Sequence, residues 1–134
     1  MPLTLEQAQA VVEGALAHAG RLGITVAVAV VDEGGHLQAL ARMDRAPALA
    51  SQIAESKAVG AAVWHRDGDA LATLHKERPA FFEQVDRMVR LPLIPGLGSV
   101  LVKRDGRVQG AVGVSGGAPA QDKECAEAGL NSVN

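Results

Sequence analysis

The chain has 134 residues, a formal net charge of −2 and an apolar content of 48%, which together predict one domain, residues 1–134, with its own hydrophobic core. Acidic and basic residues are interspersed, no apolar run approaches the ~20 residues of a membrane span, and the first ten residues do not resemble a signal peptide, so we expect a cytoplasmic protein without nucleic-acid or membrane partners. The lone cysteine, Cys125, excludes an internal disulfide framework and a zinc site built from several cysteines.

The first part of the chain predicts a helix followed by a β-hairpin. Thr4 and Gln7 have the spacing of a capping box, and apolar residues at helical spacing place the helix at about 5–20. Residues 24–31 are rich in β-branched side chains with alanine or threonine between them, which predicts a central strand that is covered on both faces. Residues 36–43 alternate in polarity and are expected to pair with that strand.

A second helix, predicted for about residues 48–64, carries a charged residue on its apolar stripe. That residue is Lys57. A buried lysine must either pair with a carboxylate, for which Asp32 and Asp122 are the candidates, or have a lowered pKa suited to acid–base or Schiff-base chemistry. The ion pair is the simpler of the two interpretations. The other members of the stripe are Leu49, Ile53, Gly60 and Trp64.

The middle of the chain predicts two short helices, at about 70–76 and 80–88, and then an irregular segment. Residues 91–98 contain two prolines and two glycines together with several apolar residues. Such a segment is expected to pack against the domain or to line a pocket.

A second hairpin is predicted for residues 99–103 and 107–115, because Asp105-Gly106 is a strong turn signal. Gly110 and Gly113 remove side chains from opposite faces of its second strand, which permits close approach of a ligand or of a neighbouring subunit. A helix at about 119–130 follows. Two hairpins separated by helices predict an α+β domain with a single antiparallel sheet and helices packed on it.

The corner before the last helix is a candidate anion site. Ser115, Gly116 and Gly117 could present backbone N–H groups to an anion, with Gln121 and Asp122 closing the site. Alternatively the glycines only allow the chain to turn from strand to helix, and the two polar side chains satisfy N–H groups of the first helical turn. The sequence leaves both interpretations open.

Three segments resemble the motif blocks of the GlcG/HbpS family, a haem-binding-like family. They are VVDEGGHLQALARMD at 30–44, IAESKAVGAA at 53–62 and GAVGVSGGAPAQDKECAEAG at 110–129. The likeness covers nearly the whole chain, which also resembles the C-terminal domain of PduO-type corrinoid adenosyltransferases. The resemblance implies a profilin-like fold with a five-stranded antiparallel sheet and homo-oligomers that range from dimers to octamers.

The sequence departs from the family pattern in two places. The block P-G-G-x-P reads PGLGS at residues 95–99, and Arg45 stands after R-M-D where the family usually has glycine. The first departure lies in the segment predicted to line a pocket, so it bears on which ligand is bound.

The family resemblance also suggests residues that could bind haem or another anionic ligand. His18 resembles the first-helix histidine proposed as an axial haem ligand in some relatives, and the alternative is a histidine that complements the dipole at the helix C-terminus. His36, Gln38 and Arg42 are predicted to share one face of a strand, where they could hold a carboxylate or a haem propionate. The alternative is a solvated or subunit-facing surface.

Three functions follow from these observations. The first is binding of haem or another largely apolar, anionic small molecule in a pocket near a subunit interface. The second is a cofactor-independent lyase or isomerase with Lys57 as acid–base, Asp32 or Asp122 orienting it, and the amides of Gly116 and Gly117 stabilising negative charge. The third is an accessory protein without a ligand of its own.

Overall fold

The computed structural model describes residues 2–133, which form five helices and four strands. The bounds are α1 (Leu5–Leu22), β1 (Ala27–Asp32), β2 (Leu37–Arg42), α2 (Ala50–Trp64), α3 (Gly68–Glu77), α4 (Pro79–Asp86), β3 (Ser99–Arg104), β4 (Arg107–Ser115) and α5 (Pro119–Asn131). The predicted order of helix, hairpin, helices, hairpin and helix is therefore confirmed. No helix within this described range is long and apolar enough to cross a membrane.

The strands form one antiparallel sheet in the order β2-β1-β4-β3. The two hairpins meet at β1 and β4, where Ala27 lies opposite Ser115 and Asp32 lies opposite Gly110. These central strands are the most apolar ones, because both of their faces are covered by helices.

The family resemblance implied five strands, and the described residues contain four. The irregular segment before β3 explains why no further strand forms there. Pro92 and Pro95 have no N–H to donate to a ladder, and Gly96 and Gly98 have φ values of 134° and 120°, far from extended geometry. One bond links this segment to the sheet, from the N–H of Val114 to the carbonyl of Gly98 at 2.8 Å.

Helices cover both faces of the sheet. α1 and α5 pack on the face that carries Val28 and Val30 of β1 and Val112 and Val114 of β4, and α2 packs on the opposite face. The sheet is therefore the middle layer of three. Burial of β1 from both sides confirms the predicted central strand.

The buried residues of α2 include Lys57 and Gly60 of the predicted stripe, but the stripe misses most of the buried face. Leu49 is 57% exposed, whereas Ala54 and Ala58 are fully buried against the sheet. A Cβ atom at Gly113 of β4 would collide with the backbone at Ala54 and Ala58. The helix thus presents its small side chains so that its backbone can approach the sheet closely, and a pattern based on large apolar residues does not detect that face.

Candidate functional site

Lys57 is buried, as predicted, and its amino group is bonded within the chain. Its Nζ donates to the carbonyl of Val114 at 2.9 Å and to Oδ2 of Asp122 at 3.3 Å. The other carboxylate oxygen, Oδ1 of Asp122, accepts the N–H of Gly117 at 2.8 Å. Burial raises the pKa of Asp122 above its ordinary value, and the hydrogen bonds from Gly117 and Lys57 oppose that rise.

Asp32, the other candidate partner of Lys57, lies elsewhere on the sheet. In the β1–β4 ladder Val28 pairs with Val114, whereas Asp32 pairs with Gly110. Four residues of strand separate these positions by about 13 Å. Lys57, which bonds at Val114, therefore pairs with Asp122.

The corner between β4 and α5 uses its amides internally. The N–H of Gly117 bonds to Asp122, and the N–H of Ala118 bonds to Oε1 of Gln121 at 2.9 Å. Gly116 has a φ of 136°, and a side chain there would collide with the carbonyl of Thr25. This is the arrangement of a strand-to-helix corner, in which the polar side chains satisfy the N–H groups that could have bound an anion.

His18 lies where α1 meets α5. Its Nε2 is 3.1 Å from Oε2 of Glu124, and its side chain is 26% exposed. This ring nitrogen could ligate iron only if Glu124 moved away.

His36, Gln38 and Arg42 do not converge on one ligand. An irregularity in the β1–β2 register between Val30 and Val31 interrupts the alternation of β2. Nε2 of Gln38 donates to the carbonyl of Leu3, and Nη1 of Arg42 donates to the carbonyl of Ala46. His36 instead bonds to a carboxylate in the turn that precedes β2.

That carboxylate belongs to Asp32. Its Oδ1 accepts the N–H groups of Gly34 and His36, each at 2.9 Å, and lies 3.1 Å from Nδ1 of the His36 ring. Partial burial raises the pKa of Asp32, but these hydrogen bonds outweigh it and hold the pKa below its ordinary value. In a neutral imidazole, an ionised carboxylate at this distance favours the tautomer with the proton on Nδ1, which leaves the lone pair on Nε2.

His36 lines a largely apolar cleft of about 430 Å³, here named the His36 cleft. Its walls come from the β1–β2 turn, from α2 and from the segment after α4. The lining residues are Gly34, Gly35, His36, Leu37, Val59, Val63, Val89, Arg90 and Leu91. The four-residue spacing of Asp32 and His36 around two glycines is a local signal that could have identified the pair, whereas the other walls are brought in by tertiary structure.

A second cleft, the α1–β2 groove, has a volume of about 470 Å³. No histidine, lysine or arginine lines it, and its polar side chains are Gln9, Glu13 and Gln38. The groove is therefore less suited than the His36 cleft to an anionic ligand. Neither cleft is lined by Lys57 or Asp122.

No group of three or more His, Cys, Asp or Glu side chains in residues 2–133 could hold a metal ion. The sulfur of Cys125 is buried, and burial, together with Asp122 and Glu124, raises its pKa to about 11.

Comparison with protein families gives a clear result. A family model described as haem degrading protein HbpS-like matches residues 3–131. The chain belongs to this family. The resemblance seen in the three sequence blocks is thus confirmed.

Protein GlcG of Escherichia coli K12 is similar to this HbpS-like chain, with 38% identity over 115 residues, 84% of the chain and 81% of GlcG. The structure of a double mutant of HbpS from Streptomyces reticuli has a TM-score of 0.90 at 27% identity and covers 100% of the chain and 88% of HbpS. PduOC in a complex with haem has a TM-score of 0.89 at 24% identity, covering 100% of the chain and 96% of PduOC. At 24% identity, the similarity to PduOC concerns the fold alone.

Proposed function

We propose that this protein binds haem, or another largely apolar and anionic small molecule, in the His36 cleft. The observation that carries the proposal is the Asp32–His36 pair, in which Nδ1 of a largely exposed imidazole contacts the carboxylate while His36 itself lines an apolar cleft. The family description as haem-degrading and HbpS-like supports haem as the class of ligand.

The fit to haem follows from the chemistry of the lining residues. Histidines that ligate metals usually donate their other ring N–H to a carboxylate, and Asp32 supplies that acceptor for His36. The valine and leucine side chains of the cleft suit the porphyrin faces, and the volume of about 430 Å³ is in the usual range for small-molecule sites. If haem is bound, His36 would hold it, and the haem would supply an iron centre for binding a small ligand.

Arg90 supports the anionic character of the ligand. Its Nη2 donates to Oε2 of Glu55 at 2.7 Å, and its side chain remains largely exposed at the edge of the cleft. A guanidinium has five N–H donors, so it can bind a propionate and keep the bond to Glu55.

His36 is a better candidate than His18 for the iron ligand. The side chain of His36 is 81% exposed with Nε2 free of a bond inside the described chain, whereas Nε2 of His18 already contacts Glu124. We retain His18 as the second candidate because the exposed Glu124 side chain can move.

The exposed apolar rim of the cleft supports a homo-oligomer. Leu37, Val63 and Val89 all line the His36 cleft and all have large exposed fractions. A second subunit that packs on this rim would bury them and close the cleft. We propose an assembly between a dimer and an octamer with the ligand near a subunit boundary.

The enzymatic alternative depends on the buried Lys57–Asp122 pair. A lyase or isomerase would need Lys57 to reach a substrate, and its Nζ is instead bonded to Val114 and Asp122. These contacts support a structural ion pair, and Asp32 lies too far along the sheet to orient Lys57. Binding is therefore the function that the geometry supports best.

The test is a haemin titration of the intact protein, followed by the Soret band, with His36→Ala, His18→Ala and His65→Ala. His65 is an exposed histidine outside both clefts and serves as the control. We expect a saturable Soret band that shifts or disappears in His36→Ala and is unchanged in the other two variants. Loss in His18→Ala with an unchanged spectrum in His36→Ala would assign the ligand to His18, and absence of saturable binding would refute haem as the ligand.

A further inference from the structure

Two arginines lie opposite each other at the tip of the β3–β4 hairpin. Arg104 pairs with Arg107 across Asp105 and Gly106, whose φ values of 53° and 75° are those of a type I′ turn. Residues directly opposite in an antiparallel pair share a face, and like charges there repel. Within residues 2–133 neither guanidinium has a carboxylate within 4.0 Å.

Gln109, near the two arginines in β4, has a buried polar side chain without a hydrogen-bond partner in the described structure. It has no partner on β3, because Lys103 pairs with Val108 and Val102 pairs with Gly110, so Gln109 is the extra residue of a bulge. The residue is only 8% exposed, and its Oε1 is buried without any hydrogen-bond partner in the described structure. A buried acceptor without a donor is costly, so a native structure that retains one calls for an explanation.

The same cleft contains both features. Arg104, Asp105, Arg107 and Gln109 line a polar cleft of about 320 Å³, and it shares no lining residue with the His36 cleft. The lining residues supply two guanidinium groups, one carboxylate and the nearly buried side chain of Gln109.

We infer that this cleft binds a small oxyanion that carries a proton, of which hydrogen phosphate is the simplest example. The two guanidinium groups recognise the charged oxygens, for which their fork geometry is suited. Oε1 of Gln109 is buried in the ligand-free protein, and rotation of the amide would turn it toward the cleft, where it accepts the O–H of the ligand and gains the donor that the protein does not supply. The carboxylate of Asp105 repels an anion that has no proton to share, which makes the cleft selective for the protonated form.

Phosphate and sulfate test this inference directly, because they are similar in size and shape and only phosphate carries an O–H at neutral pH. We would titrate the whole protein with each ion by calorimetry at constant ionic strength. We expect saturable binding of phosphate. Sulfate should bind at least about tenfold more weakly than phosphate, which corresponds to the loss of one hydrogen bond to a charged group.

Three variants locate the site. Arg107→Ala should weaken phosphate binding about tenfold or more. Gln109→Leu should abolish the preference for phosphate over sulfate and raise the melting temperature of the ligand-free protein, because it removes the unpaired acceptor. Lys103→Ala removes the same charge from the same hairpin, but Lys103 does not line the cleft, so phosphate binding should be retained.

The inference fails if phosphate shows no saturable binding or if sulfate binds as well as phosphate to the unmodified protein. It also fails if Lys103→Ala weakens binding as much as Arg107→Ala, since the effect would then be general charge attraction. The haemin titration is independent of these outcomes, because the two clefts have no residue in common.

Discussion

Nζ of Lys57 lies 3.3 Å from Oδ2 of Asp122, and this contact joins two helices that pack on opposite faces of the sheet. The two side chains are only 10% and 5% exposed. We expect Lys57→Met to lower the free energy of unfolding by about 3 kcal/mol, because it leaves the buried carboxylate of Asp122 without its cation. Urea denaturation followed by circular dichroism measures the loss.

Two further variants separate the ion pair from general effects of losing a charge. Arg87→Met breaks an exposed pair with Glu83 and should change stability by less than about 0.5 kcal/mol. The double variant Lys57→Met with Asp122→Asn should recover part of the loss, since no unpaired charge remains. A stable Lys57→Met protein would show that Lys57 is not a structural residue and would favour its use as an acid–base group.

Arg45 occupies a backbone conformation that suits glycine. Its φ is 72°, and the N–H of Ala46 bonds to the carbonyl of Met43, so Arg45 is the third residue of a turn. We expect Arg45→Gly to raise the free energy of unfolding by about 0.5–1 kcal/mol, because it removes the strain of a left-handed residue. Thermal unfolding monitors the change.

Arg21→Gly is the matched control for that substitution. Arg21 lies in the last turn of α1, where glycine should cost up to about 1 kcal/mol. If both variants lose stability, the backbone at Arg45 is not strained.

Gly113 lies where α2 approaches the sheet closely. A Cβ atom there would collide with the backbone carbonyl of Ala54 and lie 2.7 Å from the backbone N of Ala58. We expect Gly113→Ala to destabilise the protein by about 1–3 kcal/mol, since the helix must move outward. Gly20→Ala, in α1 with open space around it, should stabilise the protein by up to about 1 kcal/mol. Equal denaturation midpoints for the two variants would contradict this account of α2 packing.

The features that were predictable from the sequence depend on local interactions. The Asp105-Gly106 turn, the capping box at Thr4 and the β-branched pattern of residues 24–31 each involve residues close in the chain, and the structure contains the turn, the capping box and a strand, β1, within the last region. The packed face of α2 was not predictable, because it is selected by Gly113, about 60 residues further along the chain, and alanine-rich helices have little contrast between faces.

The candidate site also combines features that local sequence predicts with features that depend on tertiary structure. The burial of Lys57 follows from helical periodicity, whereas the choice of Asp122 over Asp32 depends on the pairing of β1 with β4. The Asp32–His36 contact is local, but Val63 and Val89 reach the same cleft only through the packing of α2 and the segment after α4.

The Asp32–His36 turn should make stability depend on acidic pH. Partial burial raises the pKa of Asp32, but hydrogen bonds from the N–H groups of His36 and Gly34 and from the His36 ring lower it by more. The pKa of Asp32 therefore lies below its ordinary value of 3.8. A carboxylate whose pKa is lower in the folded state stabilises that state above pH of about 4, and the contribution is lost as the pH falls through the folded-state pKa.

We therefore expect Asp32→Asn to cost about 1 kcal/mol at pH 7, the value of one charge-assisted hydrogen bond near the surface, and progressively less toward pH 3. Urea denaturation of both proteins between pH 7 and pH 3 measures this difference, with Glu33→Gln as the control in the same turn. If the difference in free energy of unfolding between Asp32→Asn and the unmodified protein stays constant with pH, the turn does not stabilise the carboxylate. The reason for placing the proton of His36 on Nδ1 and the lone pair on Nε2 would then be lost.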